Sequence, residues 1–144
     1  MNVTFGESKT VLVVGRQPKE IAYLTKHLTI AGYAVLVART GAGAIQSTKE
    51  HAPDVVLLEI DLSDMEGIDV VRTIRENPMR VGTLIIAISA FPYMKARCLD
   101  SGCNGIQKPI KALAAHTTAK AHQSVSQLGS QWKSGSLDVI FYRR

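Results

Sequence analysis

Cysteine is scarce in this chain of 144 residues: only Cys98 and Cys103 are present, five positions apart near an expected helix end. No disulfide is expected between them, and the pair suits buried or half-buried thiols in a reducing cytoplasm. Long apolar runs are missing as well. No window approaches the roughly 18 residues that a membrane-spanning helix needs, and residues 1–10 lack the apolar core of a secretory signal. There is no internal repeat and no low-complexity tract. No Gly-x-Gly-x-x-Gly loop follows a strand: Gly41-Ala42-Gly43 opens a helix but lacks the third glycine of a dinucleotide fingerprint. His27, His51, His116 and His122 share no metal-ligand spacing and pair with no nucleophile. Dense basic clusters are absent except for Arg143-Arg144. The net charge of +5 is therefore read as a solvated surface, and nucleic-acid binding is not expected.

What is present is an ordinary apolar content of 46%, enough for one domain with a sizeable core. It is organised in short runs. Val11-Leu12-Val13-Val14 is apolar and β-branched and ends at Gly15, with Pro18 placed to open a helix. Ile21, Leu24, Leu28 and Ala31 recur at helical spacing, and Gly32 supplies a cap. Residues 33–38 form a second apolar run, and a helix from Thr40-Gly41 to Glu50 follows. Val55-Val56-Leu57-Leu58 is a third run, and an acidic loop comes after it: Glu59, Asp61, Ser63, Asp64, Glu66 and Gly67. Ile68, Val71, Ile74 and Arg75 make an amphipathic helix ending by Asn77-Pro78. Leu84 to Ile88 is the fourth strand, 91–100 a short helix closed by Gly102, and Gly105-Ile106-Gln107 a brief fifth strand. A final helix is expected from Ile110 to about Gln127.

Strand–helix alternation repeated five times, with strands apolar throughout, specifies an α/β fold: a doubly wound, five-stranded parallel sheet with helices on both faces. Crossovers should be right-handed. Functional residues in such sheets gather at the carboxyl ends of the strands. Those ends carry Gly15 and Arg16, Glu59 to Gly67, Ser89-Ala90, and Lys108-Pro109. Residues 1–8 read as an extension and 9–123 as the domain. Residues 124–144 read as a Ser/Gln/Gly-rich linker or partly ordered tail, with an unassigned apolar patch at 137–142.

In order and spacing, these segments resemble the receiver domain of two-component response regulators. The likeness runs from about Lys9 to Ala121. It is carried by Val11-Leu12-Val13-Val14 with Pro18, Gly32-Tyr33, Pro53-Asp54 with the third strand, Met65-Glu66-Gly67, Ile85 to Ala90, and Gly102-Cys103 leading to Lys108-Pro109. The resemblance implies the flavodoxin-like, CheY-like strand order 2-1-3-4-5; that order, with a receiver among its examples, is a standard doubly wound arrangement. It also implies a chemistry. A carboxylate after the third strand accepts a phosphoryl group, and an acidic pair after the first holds a divalent cation. A hydroxyl after the fourth strand and a lysine after the fifth grip the phosphoryl oxygens.

Measured against that pattern the pocket is degenerate. Gly15 and Arg16 stand at the acidic-pair positions, which removes two negative charges and adds one positive, three of the five net units. Glu59 stands at the phosphoacceptor position, and Ser63 replaces the usual loop proline. Ser89 and Lys108 match the hydroxyl and the lysine, while the usual aromatic is missing: its place is taken by Gly105, or a residue has been deleted there. Glu59 is expected to imitate an aspartyl phosphate, or simply to be tolerated there. Arg16 is expected to place its guanidinium among Glu59, Asp61 and Asp64 as a fixed substitute for the cation. At least one of Arg16 and Lys108, preferably Lys108, should contact Glu59. Ser89 is expected to bond the backbone of its own loop. The acidic loop residues Asp61, Asp64 and Glu66 lack the spacing of a calcium loop, so no metal and no cofactor are expected.

The reading is a pseudo-receiver: a cytoplasmic, non-enzymatic signalling module with no catalytic residue, working by contact. Its partner would be a histidine kinase, another regulator or a second copy. The surface would be the fourth helix–fifth strand–fifth helix face, here 91–101, 105–107 and 110–123. One alternative is an atypical phosphoacceptor using Asp61 or Asp64. Another is an unrelated small flavodoxin-like ligand-binding protein. The module is expected to be either free-standing or part of a larger regulator or kinase.

Overall fold

A computed structural model describes residues 9–91, 93–107 and 140–141. The expected fifth helix, Lys108, and the segments 1–8 and 110–139 lie outside the described residues. Strands β1 (Thr10–Val14), β2 (Ala34–Ala38), β3 (Val55–Glu59), β4 (Leu84–Ile88) and β5 (Gly105–Gln107) alternate with helices α1 (Pro18–Ile30), α2 (Gly41–His51), α3 (Gly67–Arg75) and α4 (Met94–Ser101). The five strands are parallel and stand in the order β2-β1-β3-β4-β5, as expected. One element was not foreseen. Ile140–Phe141, from the unassigned apolar patch, forms a two-residue strand β6 that runs antiparallel along β5, with Gly105 opposite Phe141. Two residues carry too short a period to be read as a strand from sequence.

The apolar runs split by parity, because successive strand residues face opposite sides. Leu12, Val14, Val56, Leu58, Ile85 and Ala87 face α2, α3 and α4 and pack with Ile68, Val71, Ile74 and Cys98. Val11, Val13, Val55, Leu57 and Ile86 face α1 and pack with Ile21, Leu24 and Leu28. Both faces are thus covered, which is why no polar residue interrupts the runs.

Helix ends follow local chemistry. The Thr40 hydroxyl accepts the Gly43 N–H at 3.0 Å and caps α2. Gly102, at φ +118°, ends α4; its N–H reaches the Leu99 carbonyl, and the Cys103 N–H reaches the Cys98 carbonyl at 2.9 Å. That pairing is a Schellman closure, and Cys98 and Cys103 are its apolar clasp. Both thiols are free and fully buried. The hydrogen bond with Cys98, together with burial, pushes the Cys103 thiol up, so it packs as a small apolar group. α4 begins later than the sequence suggests, at Met94. Phe91 precedes a proline and is therefore biased away from helical geometry.

Arg75 joins three elements: Nε donates to the Gly102 carbonyl at 3.0 Å, Nη1 to the Arg80 carbonyl at 2.8 Å, and Nη2 to Asn104 Oδ1 at 2.6 Å. Asn104 Oδ1 also accepts the Ile85 N–H, so the end of α3 is tied to β4 and β5. Ala52 closes α2 at φ +44°, the left-handed region that a Cβ disfavours by about 1–2 kcal/mol. Ala52→Gly should therefore raise stability by about 1 kcal/mol in urea or thermal unfolding; a loss of stability would show that the alanine is not strained there.

Candidate functional site

Parallel pairing of β1 and β3 aligns Val14 with Leu58, so the next residues, Gly15 and Glu59, emerge side by side at the carboxyl edge of the sheet. Glu59 is half-buried. Its Oε2 accepts the Arg16 backbone N–H at 2.8 Å. A Cβ placed on Gly15 would lie 2.9 Å from the same oxygen, so the carboxylate occupies the ground that a side chain at position 15 would need.

Arg16 behaves only partly as expected. It does contact Glu59, but through its main chain; the guanidinium turns to Asp61, with Nη2 3.1 Å from Oδ2. This pair is well exposed, so it contributes at most about 1 kcal/mol. Asp64 does not join them. Its Oδ1 accepts the Gly41 N–H at 2.7 Å and its Oδ2 the Ala42 N–H at 3.0 Å, so it serves as a cap for α2. The acidic cluster expected from sequence is therefore divided, with Glu59 and Asp61 on the Arg16 side and Asp64 on the α2 side. Lys108, the favoured partner of Glu59, lies outside the described residues.

Glycine lets the loop after β3 take this course. Asp61 and Glu66 bridge as an antiparallel pair, and the Gly67 N–H reaches the Ile60 carbonyl at 2.7 Å. A Cβ on Gly67 would come within 2.7 Å of Ile60 Cα, and one on Gly41 would run into Met65. Both glycines permit close backbone approach. Ser89 Oγ accepts the Phe91 N–H at 3.1 Å and so shapes the turn after β4. Glu66 pairs with Arg97 of α4 at 3.2 Å.

These strand ends border an open cleft of about 740 Å³, lined by Lys19, Glu20 and Tyr23 of α1, Glu59 at the end of β3 and Asp61 beyond it, and Ser89, Phe91, Tyr93 and Arg97 after β4. Its rim carries an exposed aromatic pair: Phe91 and Tyr93 stand 5.4 Å apart and are 53% and 70% exposed. Neither the aromatic rim nor the Glu66–Arg97 pair follows from sequence spacing. The fit between Gly15 and Glu59 had a signal in the glycine at the strand end, but its meaning needs the neighbouring strand.

The family resemblance implies a divalent cation at this place, and the donor set does not fit one. Gly15 supplies no side-chain oxygen, Arg16 supplies a cationic group that already holds Asp61, and the carboxylate of Asp64 is turned to α2. Among the described residues no group of three potential ligands converges.

The bonds from Ala42 and Gly41 hold the Asp64 carboxyl below the usual carboxylate range. A carboxyl with a depressed folded pKa stabilises the protein above its unfolded pKa of about 3.9 and loses that contribution as pH falls through the folded value. Asp64→Asn should thus lower the melting temperature at pH 7. The gap to the parent should narrow below about pH 4; a gap independent of pH would remove the helix-capping charge from the account.

Comparison with known proteins agrees with this architecture. The family model described as the response regulator receiver domain matches residues 11–120. The transcriptional regulatory protein KdpE of Mycobacterium tuberculosis is 37% identical over 100 residues, covering 69% of this chain and 44% of KdpE, so the chain spans less than half the length of that relative. The polar-differentiation response regulator DivK of Brucella ovis is 25% identical over 118 residues, covering 80% of this chain and 96% of DivK. In three dimensions, the phosphorylated cyanobacterial phytochrome response regulator RcpA superposes with a TM-score of 0.74 at 18% identity, over 90% of this chain and 96% of RcpA. The chemotaxis response regulator CheY4 of Vibrio cholerae gives 0.70 at 20% identity, over 85% and 98%. The chain belongs to the response regulator receiver domain family of two-component signalling.

Proposed function

We propose that this receiver domain signals by contact, without accepting a phosphoryl group, and that it is not an enzyme. The observation that carries the proposal is the state of Glu59. Its carboxylate is already bonded to the Arg16 N–H, and the neighbouring guanidinium is taken by Asp61. Phosphoryl transfer to a carboxylate needs a group that offsets the charge gathering on the incoming oxygens. The acids that would hold a cation for this purpose are replaced by Gly15 and Arg16. Of the other acids, Asp64 is bound as a helix cap. Asp61 is open to solvent but is paired with Arg16. The alternative of an unusual phosphoacceptor is correspondingly weak.

The output of such a module rests on its surface. Phe91 and Tyr93, which lie ring against ring, are large side chains left exposed before α4, and Leu99 is exposed on α4 itself; clustered exposed apolar groups mark contact sites. The partner would be a histidine kinase, another regulator or a second copy, met through α4 and β5. No described helix is long and apolar enough to cross a membrane, and a cytoplasmic setting is part of the proposal.

Incubation with acetyl phosphate and millimolar magnesium, followed by intact mass measurement, tests this reading. The mass is expected to stay unchanged. The gain of one phosphoryl group, abolished by Glu59→Gln or by Asp61→Asn, would refute it. Magnesium titration followed by NMR should likewise leave the Gly15 and Glu59 amides in place.

A further inference from the structure

We infer that Gly15 is a positioning residue: its missing side chain is what seats the Glu59 carboxylate on the Arg16 N–H. The inference rests on reading Glu59 as a resident carboxylate rather than a phosphoacceptor, and it adds a steric rule to that reading. A Cβ at position 15 would stand 2.9 Å from Glu59 Oε2, closer than real Cβ atoms come to an oxygen. The same oxygen is the one that accepts from the Arg16 N–H at 2.8 Å. Any residue other than glycine at position 15 must therefore displace the atom that makes the bond.

Glycine is not needed at this position for any other reason on view. Its backbone lies outside the left-handed region, since Gly32 and Gly102 are the glycines at positive φ among the described residues. The other neighbours of the added Cβ, two carbons of Ile21, lie at ordinary packing distances of 3.7 and 3.9 Å. The conflict is with Glu59 alone. It is also a conflict with the far end of a flexible side chain, which can swing aside at little cost in packing. What is lost is the hydrogen bond, since among the described residues the Arg16 N–H is the donor to Glu59.

Two consequences follow from this geometry. A Cβ at position 15 and the present seat of the Glu59 carboxylate exclude each other, so any side chain introduced at 15, an acid included, moves Glu59 off the Arg16 N–H. Positions 15 and 59 are therefore coupled, and a change at one alters what the other can do. The guanidinium of Arg16 does not enter this coupling, because it is turned to Asp61.

The test is a cycle of Gly15→Ala, Glu59→Ala and the double variant in the full chain. It is read at the Arg16 backbone amide by proton chemical shift and hydrogen exchange, with melting temperature as the control. Removing a hydrogen bond to a charged acceptor should speed exchange roughly ten-fold or more. Each single substitution is expected to produce that acceleration and an upfield shift of the Arg16 amide, and the double variant no more than either alone. Melting temperature should change little with Gly15→Ala. An Arg16 amide unmoved by Gly15→Ala, or single effects that multiply in the double variant, would overturn the inference. Should Gly15→Ala fold poorly, Glu59→Asp, whose carboxylate is one methylene nearer β3, must restore it; failure of that rescue overturns the inference as well. Phosphodonor labelling of the parent chain bears on the absence of phosphoryl transfer and leaves this amide measurement untouched, so either idea can fail without the other.

Discussion

The hydrogen bond from the Arg16 N–H to Glu59 exists because β1 and β3 lie next to each other, parallel, with Val14 opposite Leu58. Parallel pairing brings the carboxyl ends of non-consecutive strands to one edge, where their next residues meet. The register follows from parity. A slip of one residue would turn Leu12, Val56 and Ile85 from the α2–α4 side to the α1 side and exchange every buried side chain for its neighbour. The functional edge is therefore held in place by the apolar strands behind it.

At that edge charge is handled by distribution. A cation at a receiver edge would offset its acids all at once. Here each acid has its own local donor: Glu59 has a main-chain amide, Asp61 a guanidinium, Asp64 two amides of α2, and Glu66 the Arg97 guanidinium. Main-chain donors are fixed by the fold and need no ordering of a long side chain, which makes them suited to a permanent arrangement. The exposed pairs of Arg16 and Arg97 add little stability. What they do is tie loops together, Arg16 across β1 and β3 and Arg97 from α4 to the loop after β3.

On the rim of the cleft a different logic applies. Ser89 bonds the Phe91 amide, and the chain turns so that Phe91 and Tyr93 stand out from the domain. α4 behind them is anchored by Met94 and Cys98 in the core and by the Schellman closure at Gly102. The aromatic pair thus stands directly before a helix whose Met94 and Cys98 are buried in the core.

The apolar runs, their parity and the punctuation by Gly32, Pro53 and Gly102 determined the α/β class and the helical covering of both faces from sequence alone. They could do so because burial on both sides of a parallel strand writes itself into consecutive residues. That Gly15, Arg16, Glu59, Asp61 and Ser89 stand at or just after strand ends was equally legible. Their partners were not. Asp64 reads as a third member of the acidic loop, yet the loop folds back between Asp61 and Glu66 and brings Asp64 to α2. Arg16 reads as a cationic substitute for a metal, yet it meets Glu59 with its amide and Asp61 with its side chain. The two-residue strand at Ile140–Phe141 pairs with Ile106 and Gly105 of β5, 34 and 36 positions away, and has no period of its own. Sequence determined which groups reach the carboxyl edge, because that depends on local pattern. Only the tertiary structure decided which of them bond, because a hydrogen bond is chosen by fractions of an ångström between segments about forty residues apart.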